Sequence, residues 1–212
     1  PSELIYDDFE TLVFPGHALG KNILGTKESV QGIRRDDILD FIDRNYTLEN
    51  TLLCSVGNIP PGKLLRLCER HFGGDQIRTG GHRRAPFTGY RPQTRTLRKA
   101  SSQCNVVTGG PAYDIRNPRR TAFMLLNNLL GGQGQNTRLN MSVREKKGLA
   151  YTVESYFTPF SDSGLFSVYF GCDTHARDHC LSLVRHELEN LKRNKLGSMQ
   201  LYYAKKQYLG QL

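Results

Sequence analysis

The chain reads as an α+β protein: a largely antiparallel sheet with helices packed on one face. Two observations carry this. Strand-like runs at Ala150–Phe157 and Leu165–Gly171 are separated only by a short turn rich in Pro, Ser, Asp and Gly, which is the signature of a hairpin. Elsewhere, runs with apolar residues three and four apart follow one another in pairs. A third observation makes the reading affordable. The 212 residues are 38% hydrophobic and 23% charged, a composition that builds a packed core and does not suit disorder. No apolar run approaches the ~18 residues of a membrane span, so none is expected.

The elements follow in order. Ser2 is placed to cap a first helix with Ile5, Phe9, Leu12 and Val13 on one face, and Pro15-Gly16 ends it. A loop, Gly16 to Gly20, leads towards Ile23 and Leu24. Asp36 or Asp37 opens a short helix with Ile38, Leu39, Ile42 and Tyr46 inward. Thr51–Val56 reads as a strand closed by Gly57-Asn58. Pro60-Pro61 starts a helix whose inward stripe is Leu64, Leu65, Cys68 and Phe72. Ser102–Thr108 reads as a strand. Asn117-Pro118 pairs an N-cap with a proline at the first helical position, and that helix runs to Leu130 and stops at Gly131-Gly132. Asn136 is expected to cap the next helix, which ends at Gly148. Beyond the hairpin, Thr174 is expected to cap a long helix with Leu181, Val184, Leu188 and Leu191 inward, and Ser198 the last one.

Charge is unevenly distributed. Residues 73–100 hold Arg78, Arg83, Arg84, Arg91, Arg95, Arg98 and Lys99 against the single acid Asp75, which is +6 of the net +9. The stretch is also rich in glycine and proline and weakly periodic, so it reads first as a linker. A nucleic-acid contact would need a reading element, and there is no zinc-finger spacing, aromatic RNA-binding signature or long basic helix. No nucleic-acid partner is therefore expected. The five cysteines (Cys54, Cys68, Cys104, Cys172, Cys180) are odd in number and never spaced C-x-x-C. They read as reduced and mostly buried small hydrophobes, which favours a reducing, cytoplasmic setting. The chain starts at Pro1 and stops at Leu212 inside a helical pattern, so it is expected to be a fragment of a longer protein.

Several constellations fall to ordinary readings. His175, His179 and His186 lie within roughly 40° of one another on a helix, about opposite its apolar stripe, and so face solvent. His186 is on the order of 10 Å along the axis from His179, too far to share one ion. Neither H-E-x-x-H nor H-x-x-E-H occurs, so no metal ligands are assigned. Gly131-Gly132-Gln133-Gly134 follows a helix rather than a strand and lacks Lys-Ser/Thr, so it reads as a helix stop, not a phosphate loop. A G-x-S-x-G elbow is absent. His17 reads as a local hydrogen-bonding residue of its loop. Arg144 and Tyr151 stand apart. They lie seven positions apart on either side of a helix–strand break at Gly148, and each can donate to a carbonyl oxygen. From spacing alone, the first reading is a last-turn cation complementing the helix dipole and a strand tyrosine half buried in the core.

The motifs around that pair resemble the pitrilysin, insulinase and mitochondrial processing peptidase family of inverted zinc metallopeptidases. The carriers are Leu130-Gly131-Gly132, Thr137-Arg138-Leu139, the run Val143 to Tyr151, and Gly164-Leu165-Phe166. In the first half they are Phe14 to Gly20 with Ala18 where the family has proline, Ile23-Leu24-Gly25, Tyr46 to Asn50, and Val56-Gly57-Asn58. The resemblance spans nearly the whole chain and is nearest to bacterial two-domain members. It implies two related α+β halves. Residues 1–75 correspond to the end of the zinc-bearing domain, 76–100 to the linker, and 101–212 to much of the second, non-metal domain. It implies that Arg144 and Tyr151 hold the backbone of a peptide substrate, docked by strand addition. Zinc belongs to the intact parent, in a segment N-terminal to this chain, and none is expected here. The chain alone is then expected to be inactive, with no catalytic residue of its own. A partner subunit or second copy is compatible with the family. So is the alternative that the parent is a non-catalytic scaffold.

Overall fold

A computed structural model describes residues 4–48, 51–73 and 87–211. These fall into two compact units, one within Pro1–Asn22 and Pro86–Leu212, the other within Ile23–Ala85.

The larger unit is built on a three-stranded antiparallel sheet of order β1-β3-β2. The strands are β1 (Cys104–Pro111), β2 (Ala150–Pro159) and β3 (Gly164–Cys172). The expected hairpin is there, closed by Phe160–Ser163 with Phe160 N–H donating to the Ser163 carbonyl at 2.9 Å. Because strand side chains alternate, the even-numbered residues of β3 share one face. Phe166, Val168, Phe170 and Cys172 meet Leu130 of α5 (Arg120–Gly131) and Cys180 and Val184 of α6 (Arg177–Arg193) there. Val168, Phe170, Cys172, Cys180 and Val184 are all fully buried. Phe123 of α5 adds edge-to-face contacts with Phe157 (4.8 Å) and Phe166 (5.5 Å), the geometry that the ring quadrupoles favour.

The α+β class holds, with one helix on the other face. The ring of Tyr6 in α1 (Leu4–Val13) meets Tyr169 and Tyr156 at 5.5 and 6.0 Å. Val13 and Phe14 bury Leu165 in a second cluster with Phe9 and Phe87. The cause lies in β3, the central strand: its odd-numbered residues include Leu165 and Tyr169, so this face also needs cover.

The smaller unit holds α2 (Lys27–Gly32), α3 (Arg35–Asn45) and α4 (Pro61–Phe72). Here two expectations need correction. Thr51–Val56 is not a strand, because no described strand lies alongside to complete a ladder. The stripes read as inward on α3 and α4 are largely open: Ile38, Leu39, Ile42, Tyr46, Leu65 and Phe72 are all exposed.

Helix starts also differ. The third helix opens at Arg35, with Asp37 reaching back to the Arg34 N–H at 2.8 Å instead of standing outside as cap. Asn136 does not cap; its amide exchanges hydrogen bonds with Gln207 of α7 (Ser198–Leu209) at 3.1 and 3.2 Å. Thr174 lies in a 3-10 turn (Thr174–Ala176) before α6, and Gly197 rather than Ser198 holds the cap position of α7. Ser2 and residues 76–86 of the 76–100 stretch, including Arg78, Arg83 and Arg84, lie outside the described residues. Of the cysteines, Cys172 and Cys180 are buried, Cys68 and Cys104 half-buried and Cys54 exposed, so burial is less general than expected; all five are free thiols.

Candidate functional site

Arg144 and Tyr151 are positioned by two backbone irregularities, one on each side of Gly148. The helix after Gly134 is wound as a π-helix over Asn140–Glu145, with Lys146 N–H donating to the Met141 carbonyl at 3.1 Å. Such i→i+5 turns are rare and occur mostly as single-turn insertions. The segment closes on Gly148, whose φ of 61° lies in the left-handed region that glycine adopts without strain. Gly148 N–H donates to the Arg144 carbonyl at 2.7 Å and Leu149 N–H to the Val143 carbonyl at 3.1 Å. Each of these closing bonds spans one residue more than in a Schellman cap. The extra turn buries Val143 and Leu139 completely and leaves Arg144 exposed on the last turn. Arg144 makes a loose ion pair with Glu145, Nε to Oε1 at 3.9 Å.

The second irregularity is a β-bulge. Ala150 pairs with Cys172 and Thr152 with Gly171, so Tyr151 is the additional residue on β2. Without the bulge, Tyr151 would share the core face with Val153. With it, Ala150 takes that place, 7% exposed, and Tyr151 is turned out, 56% exposed. Its hydroxyl donates to Asp173 Oδ1 at 2.8 Å. That hydrogen bond, followed by the carboxylate's negative charge, raises the phenol's pKa above the ordinary tyrosine range. Among the described residues, Arg144 thus pairs with Glu145 and Tyr151 with Asp173, and not with each other. Asp173 escaped the sequence reading because Asp173-Thr174 ahead of an apolar-periodic run looks like an ordinary helix start.

A covered edge supports the site from below. Asn127 of α5 donates to the Ser155 carbonyl at 3.2 Å, and the Ser155 hydroxyl donates to the Asn127 carbonyl at 3.1 Å. The end of α5 is thereby fastened along β2. Gly131 permits this approach: a Cβ there would stand 2.8 Å from the Ser155 nitrogen. Gly131-Gly132 therefore acts as a close-packing helix end, in keeping with the non-phosphate reading.

The remaining candidates fall where their chemistry is modest. His175, His179 and His186 are exposed along the outer side of the 3-10 turn and α6. His17 Nδ1 accepts from the Leu19 N–H at 3.3 Å, which caps the short turn Ala18–Gly20. The sequence has no inverted zinc motif, and among the described residues no group of three or more His, Cys, Asp or Glu is arranged to hold a metal. Among them, too, no helix is long and apolar enough to cross a membrane.

Comparison with known proteins gives a consistent picture. The family described as the peptidase M16 inactive domain matches residues 32–208. An uncharacterized zinc protease of Streptomyces coelicolor is 31% identical over 217 residues, 99% of this chain and 47% of that protein. An uncharacterized zinc protease of Bacillus subtilis is 28% identical over 212 residues, 100% of this chain and 51% of that protein. The chain thus spans about half the length of the curated relatives it matches. The crystal structure of a peptidase M16 inactive domain from Pseudomonas fluorescens superposes with a TM-score of 0.86 at 23% identity, covering 100% of this chain and 52% of that one. At that identity the likeness speaks for the fold.

Proposed function

The chain belongs to the M16 peptidase family, and from that premise we propose that it is the substrate-holding part of a zinc-dependent endopeptidase, with Arg144 and Tyr151 as the grip. The observation that carries the reading is the bulge. In an unbulged strand Tyr151 would share the core face with Val153, whereas here it is turned out immediately after a cationic helix end. An arginine guanidinium keeps its charge and its five donors at any working pH, and its fork suits backbone carbonyls of an extended peptide. A tyrosine hydroxyl can donate to an oxygen on which negative charge grows, where fixed donors act most strongly.

On this reading the metal chemistry belongs to other parts of the longer protein, in line with the zinc protease names of the relatives. No step of it is assigned to residues here, and the chain alone is inactive. The open apolar stripes of α3 and α4, with Leu52 and Val56 more than nine-tenths exposed, are then surfaces that the zinc-bearing segment covers. The division into 1–75, 76–100 and 101–212 goes with the same reading.

The test is made in the full-length protein. Replacing Tyr151 with Phe should lower kcat by about 10²–10³-fold, the scale for loss of one such donor, with bound zinc and thermal unfolding unchanged. Replacing Arg144 with Lys should act in the same direction, since one ammonium cannot reproduce the fork. Turnover equal to wild type in Tyr151→Phe would sink the assignment.

A further inference from the structure

Asp173 occupies a position whose usual work it does not do. It directly follows β3 and stands at the N-cap of the turn Thr174–Ala176, with its carbonyl accepting from the Ala176 N–H at 3.0 Å. Aspartate there ordinarily turns its carboxylate back onto the free N–H groups of the turn. Here the side chain makes no capping bond. It takes the Tyr151 hydroxyl at 2.8 Å, from the strand opposite. The bulge makes this pairing reachable, because Ala150 already matches Cys172, the residue before Asp173.

A phenol has one proton to donate, and an ionised carboxylate has none. While the hydroxyl proton lies on Asp173 Oδ1, Tyr151 offers only lone pairs to anything arriving from solvent. It cannot donate to a peptide oxygen at the same time. We propose that Asp173 is a latch on Tyr151: its carboxylate holds the hydroxyl proton in the unliganded protein, and a peptide oxygen gains the tyrosine as donor only by displacing it. The proposal rests on the reading of Tyr151 as a substrate-holding residue. The raised phenol pKa is consistent with the same contact. Asp173 is in this scheme a positioning residue; it sets where the proton points and takes no part in bond breaking.

Asp173→Asn separates a latch from a mere support. The asparagine amide keeps the size of the side chain, and its neutral oxygen holds the phenol proton less firmly than a carboxylate does, so the ring stays in place while the proton is released more readily. In the full-length protein, with dye-quenched casein as probe, Asp173→Asn should raise kcat/KM roughly fivefold, the scale of one net hydrogen bond no longer in competition. The gain should fall mainly in KM and should vanish in the Tyr151→Phe background. Tyrosine labelled with ¹³C at Cζ gives a readout independent of turnover: the Tyr151 resonance should titrate at lower pH in Asp173→Asn than in wild type. An Asp173→Asn protein with kcat/KM unchanged or lowered, while Tyr151→Phe remains impaired, would overturn the latch and leave the grip standing. An unchanged Tyr151 titration would also overturn it. Full activity in Tyr151→Phe would remove the grip itself and the latch with it.

Discussion

Gly131 is where a single methyl group tests the packing beneath the site. It is the last residue of α5 and fully within the core. A Cβ built on it would lie 2.8 Å from the Ser155 backbone nitrogen, 2.8 Å from Ser155 Oγ and 3.1 Å from Leu139 Cδ1. The first of these is about 0.6 Å short of ordinary contact at 3.4 Å, and it is backbone in a sheet. Neither neighbour can swing away, since Ser155 is tied to Asn127 by two hydrogen bonds and Leu139 is fully buried. Overpacking of this kind costs about 1–3 kcal/mol. The helix-propensity advantage of alanine, at most ~1 kcal/mol, is only partly realised in a last turn. Gly131→Ala should therefore lose about 1–2 kcal/mol. In urea the midpoint should fall with an unchanged slope, and the melting temperature should fall by about 3–6 °C for a chain of this size. Gly62→Ala in the first turn of α4 is the matched control: nothing lies within 4 Å of its Cβ position, so it should be neutral or slightly stabilising. Wild-type stability in Gly131→Ala, or an equal loss in Gly62→Ala, would refute the argument from close approach.

Two further outcomes follow, beside those for Tyr151 and Asp173. Burial pushes the Cys172 thiol up to about 12, with the neighbouring Cys180 adding to it. Its folded-state value thus lies above that of an unfolded cysteine, about 8.5. The associated stability is complete below that value and is lost as pH rises from there towards 12, so alkaline unfolding should be eased in wild type and less so in Cys172→Ala when each is compared with its own neutral-pH stability. Gly148→Val places a β-branched residue at φ 61° with no neighbour within 4 Å to clash; it should cost roughly 1–2 kcal/mol from backbone strain alone, read as a lower urea midpoint, with Gly148→Asn less affected.

The sheet was legible because its signals are local. Strand-forming runs on both arms, with Pro159, Ser161, Asp162 and Gly164 between them, specify a hairpin without reference to the rest of the chain. Thr51–Val56 also reads as a strand and fails, because a strand is completed by a neighbour and propensity describes one segment by itself. The caps at Asn136 and Thr174 failed for a related reason. A capping side chain has other acceptors and donors to choose from, and Asn136 finds Gln207, distant in sequence, instead of its own helix. Arg144 and Tyr151 could be singled out by the break between them and by their motif. The way they are presented could not, since π-winding and a bulge each insert one residue without altering composition or apolar spacing enough to be noticed.

Those two insertions act together. A regular helix with the same closing bonds would end one residue sooner and turn Arg144 by about 100° around the axis. A regular strand would carry Tyr151 on the Val153 side, into the core. Either change alone would redirect one member of the pair, whereas every core residue of the segment, Leu139, Val143, Ala150 and Val153, keeps its place in the structure as it stands. Irregularities of this kind weaken a ladder or a helix, and regular packing gives no reason to keep them. On the proposed reading, two of them flanking one glycine, each directing a hydrogen-bond donor outward, are the means by which an otherwise ordinary α+β layer presents Arg144 and Tyr151 to a ligand.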